Sequence, residues 1–126
     1  MSQISKKLRS FEGDGLHYWC QGCDSIHGIQ VGEGPGPRWG WNGDLTRPTF
    51  TPSVLVRASK ITEKGRAQLD EWKAAGMPKR DEPFDYAPTV CHTFITDGKV
   101  QFLSDCTHAL AGQTLDLPDL PDWLQD

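Results

Sequence analysis

Val90-Cys91-His92-Thr93-Phe94-Ile95-Thr96, then Asp97-Gly98, then Lys99-Val100-Gln101-Phe102-Leu103 is the stretch that decides the fold. Two β-rich runs are separated by two residues of the kind a type I′ turn requires, because both central positions need positive φ. The stretch predicts an antiparallel hairpin in which Ile95 opposes Val100, Thr93 opposes Phe102 and Cys91 opposes Ser104. Side chains alternate along a strand, so Cys91 and Cys106 fall on one face, a diagonal step apart, and His92 falls on the other.

Working outward, Leu16 to Trp19 and Ile26 to Val31 flank Cys20-Gln21-Gly22-Cys23-Asp24, the layout of a second hairpin whose turn is a metal knuckle. Trp39 and Trp41 alternate with small or polar residues and read as a strand, and Asn42-Gly43-Asp44 is turn chemistry. The β-branched run Thr49, Thr51, Val54 and Val56 is interrupted by Pro48 and Pro52, which predicts a true strand only after Pro52. From Thr62 to Ala75 the period changes to helix, with Thr62 as N-cap, Leu69 and Trp72 on one stripe, Gly76 as stop and Pro78 beyond. Ser104 to Gly112 reads as a capped helical turn. The expected architecture is mainly β (β+α): a small antiparallel sheet, zinc-ribbon-like, with one inserted helix.

The chain has 126 residues, 37% of them hydrophobic, with 13 glycines and 9 prolines spread between short apolar runs. That suits a single turn-rich domain, 1–126, with a flexible arm at 1–12, a helical insertion at 58–88 and a tail at 115–126 that is either docked or a short binding peptide. No run approaches the roughly 18 apolar residues needed to cross a bilayer, and the first ten residues lack a secretory apolar stretch, so the expected location is the cytoplasm and no membrane partner is expected. A net charge of −4 gives no general footprint for nucleic acid, so Lys6, Lys7 and Arg9 read as a solubilising cluster.

In a reducing compartment four cysteines point to metal or redox chemistry ahead of disulfides. Cys20 and Cys23 can turn inward from one knuckle, and Cys91 and Cys106 would complete the tetrahedral thiolate shell that Zn²⁺ prefers. His108, His92 and His27 are alternative ligands. A closed shell makes the metal structural, whereas three ligands and an open position would allow water activation, with His92, Asp105 and His108, joined by Asp44, converging beside the metal as candidate acid or base groups. G-x-x-x-x-G-K-[ST], G-x-G-x-x-G and G-x-S-x-G are absent, which removes the usual support for nucleotide and serine-hydrolase readings.

His17-Tyr18-Trp19-Cys20-Gln21-Gly22-Cys23 with His27, Trp41-Asn42-Gly43-Asp44, Pro48-Thr49-Phe50-Thr51-Pro52-Ser53, Cys91-His92-Thr93-Phe94 and Gln101 to Gln113 together resemble a family of small phage and prophage proteins. Its members often carry the label ammonia monooxygenase, although nothing here resembles the membrane copper enzyme of that name. Relatives also occur near bacterial ubiquitin-like conjugation genes. The resemblance covers most of Leu16 to Leu117 apart from the insertion, and implies metal binding through Cys20, Cys23 and Cys91, with Cys106 replaced by serine in some similar proteins and His92 or His108 then completing the shell.

The function expected from these readings is a small zinc-binding phage accessory protein that acts by binding a host or phage protein, the metal being structural. A zinc-dependent hydrolase with an open metal position is the alternative, and a nucleic-acid-binding zinc module the third.

Overall fold

The computed structural model describes residues 2–125. The chain is mainly β, with its strands in two antiparallel sheets and a single α-helix among the described residues. In chain order the first sheet contains β1 (Ser2–Gln3), β2 (Arg9–Phe11), β3 (Gly15–Cys20) and β4 (Ser25–Gln30), each paired with the next. The second contains β5 (Gly40–Trp41), β6 (Phe50–Ile61), β7 (Tyr86–Thr96), β8 (Lys99–Phe102) and β9 (Thr114–Asp116), with α1 (Glu63–Ala74) between β6 and β7.

The Asp97-Gly98 hairpin has the expected register, Thr93 against Phe102 and Ile95 against Val100, and φ is +49° at Asp97 and +74° at Gly98. In the knuckle hairpin Cys20 opposes Ser25 and Leu16 opposes Ile29. Alternation buries Leu16, Tyr18 and Ile29 from one sheet together with Phe50, Val54, Ile95 and Phe102 from the other, and these form one core in which the Tyr18 and Phe50 rings stack.

Three local expectations are corrected, and the open alternative for the tail is decided. The segment read as a flexible arm supplies β1 and β2, because Leu8 is fully buried and Lys7 is tied to Asp119 and the Leu117 carbonyl. β6 begins at Phe50, two residues before Pro52: its ladder there runs Trp41 to Phe50 and Gly40 to Thr51, and asks no N–H of the proline. Ser104 to Gly112 makes tight turns in place of a helical turn, closed by Ala111 N–H to His108 and Gln113 N–H to Leu110, with Gly112 at φ +82°. The tail is docked: β9 pairs with β8, Leu117 and Leu120 are buried, and the Leu120 N–H donates to the Lys6 carbonyl.

By contact the chain divides into two compact units, one formed by the residues up to Val56 and from Val90 onward, the other by Arg57–Thr89. In the second unit Thr62 caps α1 by accepting the Gly65 N–H at 3.0 Å, and Trp72 packs edge-on to Phe84 and donates to the Pro78 carbonyl. No helix is long and apolar enough to cross a membrane.

Candidate active site and metal centre

His92 lies on β7 between Cys91, which is buried, and Thr93, so alternation turns its ring to the opposite face of the sheet. On that face β6 runs alongside, and the His92 Nε2 is 3.0 Å from Ser53 Oγ. The other ring nitrogen, Nδ1, is 3.1 Å from Asp105 Oδ2. A carboxylate accepts only, so Nδ1 carries the proton and Nε2 is left as an acceptor for the serine hydroxyl. Serine, imidazole and carboxylate thus form one continuous hydrogen-bonded chain, all within the larger unit.

Backbone contacts fix each member. The Leu103 N–H donates to the His92 carbonyl at 2.9 Å, and Thr107 exchanges backbone and hydroxyl hydrogen bonds with Val90, which pins the turn that carries Asp105 against β7. On the Ser53 side, the Trp39 indole N–H donates to the Ser53 carbonyl at 3.1 Å. The His92 side chain is 25% exposed, half-buried enough to be ordered while its Ser53 edge remains reachable.

The other face of the same strand carries the cysteines. Cys20, Cys23, His27 and Cys91 place a ligand atom each within 4.8 Å of one another, and so do Cys91, Cys106 and His108, so Cys91 joins the two sets. All four cysteines are free thiols, with Cys20 Sγ and Cys91 Sγ 3.8 Å apart. The Cys91 thiol donates to Cys20, and with the help of His27 and the Cys23 N–H it pulls the Cys20 thiol down to about 4. Burial and the Cys20 charge push Cys23 up to about 11, and Cys91 rises because its proton is held by Cys20. Without a cation the cluster supports one thiolate readily and resists a second, which is the electrostatic demand a bound divalent ion relieves.

Two observations fit the cluster to a metal. The buried His27 Nε2 and His108 Nε2 have no hydrogen-bond partner, an expense a folded chain rarely leaves uncompensated. Gly22 is required in the knuckle because a Cβ there would run into the His108 ring. His108 Nδ1 accepts the Leu110 N–H at 3.2 Å, which places the ring proton on Nε2. The cluster is thus able to hold a metal ion.

The structure gathers Cys20, Cys23, Cys91 and Cys106 with His27 and His108 on one side of β7, and His92 with Asp105 on the other. Asp44 stands apart: its carboxylate accepts the Thr46 and Arg47 N–H groups at 2.9 Å each, and these hold its acid below the usual range. Ser53 was not among the residues singled out by chemistry, since it lacks a glycine-flanked nucleophile motif. The one available signal was the alternation that sends His92 away from the cysteines and toward whichever strand pairs with β7.

Comparison with curated proteins and with solved structures gives no match. A family model does match, over residues 3–103, and its description is bacterial ubiquitination-like system serine protease (BubE). That span takes in Ser53 and His92 together with Cys20, Cys23 and Cys91, and covers most of the chain. A serine set against a histidine is what such a description calls for, and the chain belongs to the bacterial ubiquitination-like system serine protease (BubE) family.

Proposed function

We propose that the protein is a serine peptidase in which Ser53 is the nucleophile, His92 the general base and then acid, and Asp105 the group that orients the imidazole. The observation that carries this is the pair of contacts on one ring, Nε2 to Ser53 Oγ at 3.0 Å and Nδ1 to Asp105 Oδ2 at 3.1 Å. Such a constellation is recognised by geometry and roles, and the chain order Ser, His, Asp is no obstacle. In the reaction Ser53 Oγ bonds to the scissile carbonyl carbon as its proton passes to Nε2. The C–N bond then breaks, and the amine leaves with that proton. Water, deprotonated by the same nitrogen, hydrolyses the acyl ester and returns the proton to Ser53. The family's description supports placing the substrate in a bacterial ubiquitination-like system, and a soluble, cytoplasmic setting accords with it.

Zn²⁺ has a structural part in this reading. Cys20, Cys23 and Cys91, with His27 or Cys106 as the fourth group, would hold it, and the ion when bound supplies charge neutralisation and cross-linking. The hydrolase chemistry is assigned to the serine because His92 bonds to both Ser53 and Asp105, and neither His92 nor Asp105 lies in a metal-ligating group. A role in binding a host or phage protein alone would leave that bonded chain without a use.

A fluorophosphonate probe, which phosphonylates activated serines, tests the proposal. Wild-type protein should be labelled at Ser53 and should cleave a quenched peptide library, and both should vanish in Ser53→Ala. Full labelling in Ser53→Ala, or none in folded, zinc-loaded wild type, would rule it out.

A further inference from the structure

We propose that Cys106 stands outside the metal shell and is the residue that positions His92, and that the fourth place on the ion belongs to His27. The role of Cys106 rests on the peptidase reading, and the ligand set does not.

Three of the ligands come from one hairpin. Cys20-x-x-Cys23-x-x-x-His27 spans the turn between β3 and β4. Cys20 ends β3, and His27 pairs with Tyr18 across the ladder, so alternation sends Tyr18, Cys20 and His27 to the same buried face. The Tyr18 ring packs edge-on against the imidazole, and the buried His27 Nε2 has no hydrogen-bond partner. With Cys91 from β7, these residues bring four ligand atoms within 4.8 Å of one another, in a group of which Cys106 is not a member. Cys20 Sγ and Cys91 Sγ are 3.8 Å apart. Two sulfurs bound at about 2.3 Å to a tetrahedral ion are separated by about 3.8 Å, so the spacing already present suits Zn²⁺. Three thiolates and a neutral imidazole leave the ion with one net negative charge where four thiolates would leave two, and burial penalises the larger charge.

Cys106 is committed elsewhere. The β7–β8 ladder ends at the pair Thr93 and Phe102. One residue beyond it, the His92 N–H donates to Cys106 Sγ and the Cys106 thiol donates to the His92 carbonyl, each at 3.3 Å. A coordinated thiolate has no hydrogen to give, and at that separation its charge would face the carbonyl oxygen uncompensated. The group of Cys91, Cys106 and His108 supplies no rival shell, because His108 Nδ1 is taken by the Leu110 N–H and Nε2 carries the proton. Cys106 directly follows Asp105, so its bonds tie the His92 main chain to the turn that presents the carboxylate. The imidazole and its carboxylate are thereby held at one separation from the backbone side.

The test is X-ray absorption at the zinc edge of zinc-loaded protein, run beside fluorophosphonate labelling of Ser53 and steady-state kinetics. Expected are three sulfur neighbours and one nitrogen in wild type, and the same shell with about one zinc per chain in Cys106→Ala and Cys106→Ser. His27→Ala should weaken zinc binding by about a hundredfold or more in competition with a chromophoric chelator. In Cys106→Ala the labelling rate and kcat should fall about tenfold with KM unchanged. Cys106→Ser, whose hydroxyl can donate and accept in the same place, should recover most of that loss. Four sulfurs in wild type, a reading that needs no variant, or loss of zinc from folded Cys106→Ala overturns the ligand set. A Cys106→Ala protein that keeps zinc and is labelled at the wild-type rate overturns the positioning role. Zinc-loaded wild type that shows the three-sulfur shell and is never labelled overturns the peptidase reading, and the role of Cys106 with it, while His27 stays a ligand.

Discussion

Cys106 and His92 are bonded to each other through the backbone: the His92 N–H donates to Cys106 Sγ at 3.3 Å, and the Cys106 thiol donates to the His92 carbonyl at the same distance. Cys91 precedes His92 and Cys106 follows Asp105, so each of the two residues hydrogen-bonded in line with Ser53 is a chain neighbour of a thiol in the cluster. The metal-competent cluster and the Ser53–His92–Asp105 chain lie on the two faces of one strand.

Removal of the ion should therefore silence the serine without touching it. Treatment with a strong chelator is expected to lower Tm by roughly 10–20 °C and to abolish fluorophosphonate labelling, with both restored by about one equivalent of Zn²⁺. Labelling that persists at full rate in metal-free, folded protein would separate the two faces. Cys91→Ser should lose metal and labelling together.

Each of the three bonded residues should be needed for turnover. Ser53→Ala leaves peptide binding intact and removes turnover, His92→Ala does the same, and Asp105→Asn reduces kcat by roughly ten-thousand-fold by allowing the wrong ring tautomer. Steady-state kinetics on a cleaved peptide checks this, and an Asp105→Asn variant within a factor of a few of wild type would remove the carboxylate from the mechanism.

Trp39→Phe keeps an aromatic ring but deletes the donor to the Ser53 carbonyl. The loss of one neutral hydrogen bond, about 1 kcal/mol, predicts a kcat lower by about twofold to tenfold with KM little changed. A change confined to KM would assign the indole N–H to substrate binding instead of to positioning the nucleophile.

The Asp44 turn offers a pH-dependent check on the same neighbourhood. Its folded acid lies below the reference value of 3.8, held there first by the Arg47 N–H and then by that of Thr46. A depressed folded value means that the stabilising contribution is present above the unfolded pKa and is lost as pH falls through the folded one. Asp44→Ala should thus lower Tm by a constant amount from neutral pH down to about pH 4, and the two melting curves should converge below that. Parallel curves down to pH 2 would contradict the assignment.

The pattern of the chain was enough for much of this molecule. Asp97-Gly98 fixed a hairpin and its register, because positive φ at two adjacent positions is a local demand that few dipeptides meet. Thr62 and Gly76 bounded the helix for similarly local reasons, and the alternation around Cys91 put the cysteines on one face and His92 on the other. Cys20 and Cys23 announced a metal-competent knuckle through spacing alone. The flexible arm was misread because the burial of Leu8 depends on a docked tail more than a hundred residues away, a partnership with no local signature.

What the tertiary structure decided was the meaning of His92. A histidine on an outward face is mute until its neighbours are known, and they come from strands separated by 39 residues on one side and from a turn 13 residues away on the other. Ser53 carries no motif, since its placement relies on the pairing of β6 with β7 and on Trp39, and not on a glycine-flanked bend. Local backbone preference is written in short stretches and can be read from them, but a hydrogen-bonded chain across three elements exists only once long-range pairing has brought them to within 3 Å or so of each other.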